Sequence, residues 1–284
     1  MTINIKFTKM HGLGNDFILV DGEEIKINNL EYSELAKKIC DRNFGIGADG
    51  LIIVNPADVK SDTDTSWRII NSDGSEPQMC GNGIRCFAKY VYEKGIINKK
   101  KFSVQTLAGK IIPEIQDNGE IKVDMGEPIL QAEKIPVAII NQEKIISHPI
   151  EVQDKKFNFT PVSMGNPHCI IFSEDDTAQL ARTYGSNIET HKYFPEKTNV
   201  EFVKILSKNS IKIDVWERGC GITLACGTGA CACVVAGILN NYLDNKVSAQ
   251  LPGGSLEIEW NKESNKVFMK GKSEFVCNGE FIVQ

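Results

Sequence analysis

The chain has 284 residues, 42% of them apolar and 24% charged, enough for two domains with cores of their own. A formal charge of −5 with the two signs interspersed excludes the basic stripe of a nucleic-acid binder. The longest apolar run, 229–239, is far short of a bilayer span, and the opening MTINIKFTKMHG lacks the apolar core of a secretory signal, so the reading is a cytoplasmic protein with no membrane partner.

In chain order, residues 17–20 and 51–54 are Ile-, Val- and Phe-rich runs bounded by turn residues and predict strands. Residues 31–42 predict an amphipathic helix with Leu35, Ile39 and Cys40 inward. A strand over 67–71 leads through the turn Ser72-Asp73-Gly74-Ser75 to Cys80-Gly81-Asn82-Gly83. That motif opens an apolar helix over 83–92, charged only at Arg85 and Lys89, and paired strands follow over 101–105, 111–116 and 121–125. The second half repeats the order. Strands are predicted over 169–172 and 200–205, a weaker helix over 176–183, and a strand over 211–217 before the turn Arg218-Gly219-Cys220-Gly221. Cys226-Gly227-Thr228-Gly229 then opens a helix over 229–239 without a single charge, followed by strands over 256–260 and 266–269. A helix apolar on every side is buried, so each half is expected to wrap strands around a central helix. A last strand over 275–283 has no counterpart and is expected to pack back onto the first domain.

Further correspondences support a duplication. Gly14-Asn15 and Gly165-Asn166 precede the two cysteines at similar distances. Leu107-Ala108-Gly109 and Leu251-Pro252-Gly253 follow them, and from those leucines Val123 with Met125 and Val267 with Met269 recur at equal offsets. The expected fold class is α/β (α+β): two pseudo-symmetric duplicated domains, residues 1–127 (joined by 273–284) and 128–272, with the active site in the cleft between them.

A cysteine at the first turn of a helix sits among N–H groups that have no intrahelical acceptor, in the positive field of the macrodipole. Both effects stabilise a thiolate, whose ordinary pKa is about 8.5. The neighbouring glycines let the backbone approach a ligand, and the same N–H groups can cradle a carboxylate. Two such sites suit inversion at an α-carbon: one thiolate removes the α-proton and the opposite thiol protonates the other face. Nine cysteines without a secretory signal argue for free thiols, and the absence of any C-x-x-C, with four scattered histidines, predicts no metal. Cys40, Cys86, Cys231, Cys233 and Cys277 read as small buried hydrophobes and Cys220 as incidental. The alternative for Cys80 and Cys226 is a redox disulfide pair.

The chain resembles the diaminopimelate epimerase family. The resemblance runs through Met10-His11-Gly12-Leu13-Gly14-Asn15-Asp16-Phe17, Asn71-Ser72-Asp73-Gly74-Ser75-Glu76 and Met79-Cys80-Gly81-Asn82-Gly83-Ile84-Arg85-Cys86. It continues through Met164-Gly165-Asn166-Pro167-His168, Thr198-Asn199-Val200-Glu201-Phe202, Trp216-Glu217-Arg218-Gly219 and Ala225-Cys226-Gly227-Thr228-Gly229-Ala230. It implies a cofactor-independent isomerase that interconverts LL- and meso-2,6-diaminopimelate, on the route to lysine and peptidoglycan precursors, and a homodimer. Cys80 and Cys226 become proton donor and acceptor, with His168 and Glu217 assisting. The substrate-binding positions become Asn15, Asn71, Gly81, Asn82, Asn166, Asn199, Glu217, Arg218, Gly227 and Thr228. Arg218 suits the distal carboxylate and Glu217 the α-ammonium, while Arg85 is expected to be structural. Gly50 stands where some members have glutamine, and Ile222 where an acidic residue is common. The rivals are a racemase of the same architecture acting on another amino acid, and a thiol–disulfide redox protein.

Overall fold

The computed structural model describes residues 3–58, 60–139 and 142–283. The chain forms two compact units, Met1–Val123 with Gly271–Gln284, and Asp124–Lys270.

The first unit contains β1 (Ile3–Gly12), β2 (Asn15–Asp21), α1 (Gly22–Ile27), α2 (Tyr32–Ile39), β3 (Gly50–Pro56), β4 (Thr65–Asn71), α3 (Gly81–Glu93), β5 (Val104–Thr106), β6 (Gly109–Ile111), β7 (Pro113–Ile115) and β8 (Ile121–Asp124). The second contains β9 (His148–Val152), β10 (Lys155–Ser163), β11 (Pro167–Phe172), α4 (Thr177–Glu189), β12 (Asn199–Ser207), β13 (Ser210–Glu217), β14 (Gly221–Ile222), α5 (Gly227–Leu239), β15 (Lys246–Leu251), β16 (Gly254–Asn261) and β17 (Lys266–Gly271). The chain ends in β18 (Glu274–Val283), which pairs antiparallel with β1, so the last strand does return to the first unit.

Strand pairing in the two units follows one plan. In the first, β1 and β2 are antiparallel, β2 and β3 parallel, β3 and β4 antiparallel, β4 and β5 parallel, β5 and β6 antiparallel. In the second, β10, β11, β12, β13, β15 and β16 repeat that alternation. A parallel pair needs a crossover, which a helix usually supplies. Accordingly α2 and α4 join the first parallel pair of their units, and α3 and α5 join the second.

The second crossover helix is the core of its unit. Residues 230–236 of α5 are all fully buried, and the helix touches β10, β11, β12, β13, β15 and β16, so the sheet curls around it. Burying one valine such as Val234 is worth roughly 1.5–3 kcal/mol. α3 buries Ile84, Cys86, Phe87, Ala88 and Val91 against β1, β2, β3 and β7.

Local chemistry revises three sequence expectations. The helix expected over 31–42 stops at Ile39, because the Asp41 carboxylate accepts from the N–H groups of Asn43 and Phe44 and turns the chain. The helix expected over 176–183 runs on to Glu189: Asp176 caps Ala178 and Gln179, and the apolar face continues through Gly185 and Ile188. Cys277, expected to be buried, is exposed, because β18 is an edge strand with residues 274–278 all open to water.

Gly185 brings α4 directly onto β13. A Cβ there would lie 2.6 Å from the Cβ of Trp216, whose indole N–H is already held by Glu189 at 2.7 Å. Gly185→Ala is therefore expected to lower stability by about 1–3 kcal/mol through overpacking. An unchanged denaturant midpoint would contradict this contact.

Candidate active site

Cys80 and Cys226 occupy the N-cap positions of α3 and α5, with extended backbones at φ −139° and −115°. N-caps ordinarily use an oxygen to accept from the first turn. Here sulfur does it, accepting from Gly83 N at 3.4 Å and from Gly229 N at 3.3 Å. Each sulfur is thereby fixed at the positive end of a buried helix. The N–H groups of Gly81 and Asn82, and of Gly227 and Thr228, fall in those first turns, where a helix has donors to offer a ligand. The second glycine of each motif serves close approach rather than a left-handed turn. A Cβ at Gly83 would meet the Ile69 side chain at 3.1 Å, and one at Gly229 would meet Glu201 Oε1 at 2.6 Å.

Around Cys80 the structure gathers Asn15 and Asn82. The thiol points to Asn15 Oδ1 at 3.9 Å, and the Asn82 amide donates to the same oxygen at 3.1 Å. Asn71 closes β4, opposite Gly50 of β3, and its amide donates to Ser75 Oγ at 2.9 Å, shaping the turn that leads to the cysteine. At Gly50 an added Cβ would meet the Ile70 carbonyl at 3.0 Å, so the strand pairing leaves a side chain there little room.

Around Cys226 the arrangement is more strongly charged. His168 on β11 is fully buried, with Nδ1 2.6 Å from Glu201 Oε1 and Nε2 3.0 Å from Asn166 Oδ1. Asn199, beside His168 in register, donates to the Pro167 carbonyl and accepts from Arg218 N at 2.9 Å, which fixes the turn after β13. Arg218 itself is exposed, with Nη1 on the Glu196 carbonyl, and Glu217 accepts from the Thr223 hydroxyl. The exposed Ile222 pairs opposite Trp216 in β14.

Sequence reading passed over Glu201. It is fully buried on β12, its Oε2 has no hydrogen-bond partner among the described residues, and its carboxylate presses on the first turn of α5. The signal was present: a lone charge inside Val200-Glu201-Phe202-Val203, in a strand otherwise apolar there. Ligand atoms of His168, Glu201 and Cys226 lie within 4.8 Å of one another, so the fold assembles a set of donors capable of holding a metal that linear spacing did not reveal. All nine cysteines are free thiols.

Burial raises the Cys226 thiol well above its ordinary pKa, and the negative charges of Glu217 and then Glu201 push it further. The Thr228 hydroxyl and the Gly229 N–H oppose the rise without reversing it. Cys226 therefore rests as a protonated thiol, the form of an acid. Removing the stronger of its two negative neighbours lowers the pH at which thiolate appears. In a Cys80→Ala background, Glu217→Gln is expected to shift iodoacetamide alkylation of Cys226, followed by mass spectrometry, to lower pH. An unmoved or upward-shifted profile would contradict this electrostatic account.

The sequence profile of the family described as Diaminopimelate epimerase matches residues 7–131 and 160–276. A diaminopimelate epimerase of Carboxydothermus hydrogenoformans is 53% identical, with 98% of this chain and 100% of the relative aligned. Another, from Heliobacterium modesticaldum, is 49% identical over 97% of this chain and 99% of its own length. Among solved structures, a hydroxyproline epimerase from Agrobacterium vitis superposes with a TM-score of 0.69 at 12% identity, covering 99% of this chain and 93% of that one. A phenazine biosynthesis protein of Bacillus anthracis gives 0.66 at 15% identity, with full coverage of both chains. These two likenesses show the fold alone: a mixed α/β architecture matched over the length of the chain. With the family profile matched in both halves and relatives about half identical from end to end, the chain belongs to the diaminopimelate epimerase family.

Proposed function

We propose that this protein interconverts LL- and meso-2,6-diaminopimelate by proton transfer at one α-carbon, with Cys80 and Cys226 as the acid–base pair and no cofactor. The observation that carries the reading is the matched placement of the two sulfurs, each the N-cap of the buried second crossover helix of its unit. Inversion needs a base on one face of the α-carbon and an acid on the other, since a single base returns the proton to the side it came from.

Cys80 as thiolate takes the α-proton and becomes a thiol; the electron pair moves into the α-carboxylate as an enediolate; Cys226 gives its proton to the opposite face and becomes a thiolate. The reverse reaction exchanges the roles. First-turn N–H groups of Gly81, Asn82, Gly227 and Thr228 hold the α-carboxylate and stabilise the charge that develops on it. Glu217 receives the α-ammonium and Arg218 the distal carboxylate, while Asn15, Asn71, Asn166 and Asn199 set the polar walls. His168, gripped by Glu201 and Asn166 and close to Cys226, assists proton transfer together with Glu217. Residues 1–127 with 273–284, and 128–272, are the two catalytic domains of this reading. It carries a homodimer at work in the cytoplasm, where lysine and peptidoglycan precursors are needed.

The direct test is chiral chromatography of reduced protein incubated with LL-diaminopimelate. Meso product is expected to accumulate. Cys80→Ala and Cys226→Ala should each lower the rate by about 10²–10⁴-fold, the usual range for a general acid–base group. Epimerisation that survives either substitution would remove the two-thiol reading. Turnover of dithiols with no change at the α-carbon would replace it with the redox alternative.

A further inference from the structure

Arg85 is fully buried one turn into α3, the helix capped by Cys80. Its Nη1 donates to the Gly81 carbonyl at 3.0 Å, Nη2 to Asn82 Oδ1 at 2.9 Å and Nε to the Lys272 carbonyl at 3.4 Å. Burying a guanidinium is costly, and an apolar side chain would serve the core of α3 better if packing were its whole task.

The chemistry of the donors shows what the charge does. A guanidinium only donates, so the Asn82 amide must turn its oxygen toward Arg85 and its NH₂ away. That NH₂ donates to Asn15 Oδ1 at 3.1 Å. The Asn15 NH₂ in turn donates to Asp49 Oδ2 at 2.5 Å, and an ionised carboxylate only accepts. A donor-only group at one end and an acceptor-only group at the other leave the two amides one consistent orientation. In that orientation the Cys80 thiol meets the oxygen of Asn15 and not its NH₂. Gly12 belongs to the same device. A Cβ there would lie 3.1 Å from Arg85 Nη2 and 3.1 Å from the Asn82 carbonyl, so the glycine of the His11-Gly12 pair makes room for the guanidinium. Two sequence motifs far apart in the chain thus meet at one buried cation.

We propose that Arg85 is a positioning residue for the Cys80 half of the site: it fixes the side-chain amides of Asn82 and, through it, Asn15, so that an oxygen acceptor meets the S–H that Cys80 carries once it has taken the α-proton. The inference rests on the reading of Cys80 as an acid–base group. A purely structural Arg85 would instead tie the entry of β18 to α3, where Ser273 Oγ donates to the Arg85 carbonyl at 3.2 Å and Lys89 donates to the Ser273 carbonyl at 2.9 Å.

The test uses the full chain with Arg85→Lys, which keeps the charge but loses the fork, and Gly12→Ala, which crowds the guanidinium without removing it. Thermal midpoints, kcat, KM and the side-chain amide signals of ¹⁵N-labelled Asn15 and Asn82 are recorded for each. The expected result is a folded protein whose kcat/KM falls by about 10²-fold, the scale of a small misplacement at a reacting group. The Asn15 and Asn82 amide signals should both move, Asn82 through its hydrogen bond to Arg85 and Asn15 through its hydrogen bond to Asn82. A folded Arg85→Lys with wild-type kcat/KM, or with the Asn15 signal unmoved, would overturn the proposal; if Arg85→Lys does not fold, Gly12→Ala decides by kcat/KM and the Asn82 signal alone, because Gly12 pairs directly with Asn15. Cys80→Ala separates the two levels: an active Cys80→Ala removes the underlying reading, whereas an inactive one beside a fully active Arg85→Lys removes only the role of Arg85.

Discussion

A sulfur in the N-cap position of a buried helix is the constraint on which the rest of this molecule depends. The cap needs an acceptor for the first-turn N–H, and a cysteine in that place becomes part of the helix start, with its position set by the fold. Because the helix is the crossover between two parallel strands, its N-terminus follows β4 in one unit, after a polar turn, and follows β13 in the other, after the turn at Arg218 and the short strand β14. Asn71 closes β4 and Glu217 closes β13 with Arg218 next to it, so the strand order places these polar residues at the start of the segments that lead to the two cysteines.

The two sulfurs share a backbone setting but not an electrostatic one. Cys80 is partly exposed and framed by neutral amides that Arg85 and Asp49 hold in register. Cys226 is buried, with Glu217 and Glu201 nearby and a buried His168 completing the group. Leaving a buried carboxylate oxygen such as Glu201 Oε2 without a hydrogen bond costs roughly 1–3 kcal/mol or more for a charged group. The thiol of Cys226 beside it is raised first by burial, then by Glu217 and least by Glu201. In the proposed two-thiol reaction that asymmetry matters, because with both groups protonated there is no base and with both ionised there is no proton to deliver to the opposite face.

Much of this was legible in the sequence because the relevant signals are local. The Cys-Gly-x-Gly repeats, the charge-free run 229–239 and the Ile- and Val-rich strands each announce themselves within a few residues. What escaped was set by tertiary contact. Glu201 gained its meaning only when β12 paired beside β11 and brought it to His168. Arg85, expected to be structural, turned out to face the Asn82 amide because β1 supplies a glycine against it. The helix ends at Ile39 and Glu189 depended on one side-chain turn and on one continued apolar face. The exposure of Cys277 follows from the edge position of β18, which a strand pattern does not encode.

The central claim is that two separate thiols act on one α-carbon, and isotope flow reads it directly. Reduced protein is incubated with α-protiated LL-diaminopimelate in D₂O, and product and remaining substrate are analysed before much has reacted. The account predicts deuterium at the inverted centre of the meso product while recovered LL substrate keeps its protium, because the donor thiol carries a solvent proton and the acceptor thiol holds the one removed. Meso product carrying the substrate's own proton would contradict it, since a single group would then have moved that proton from one face to the other.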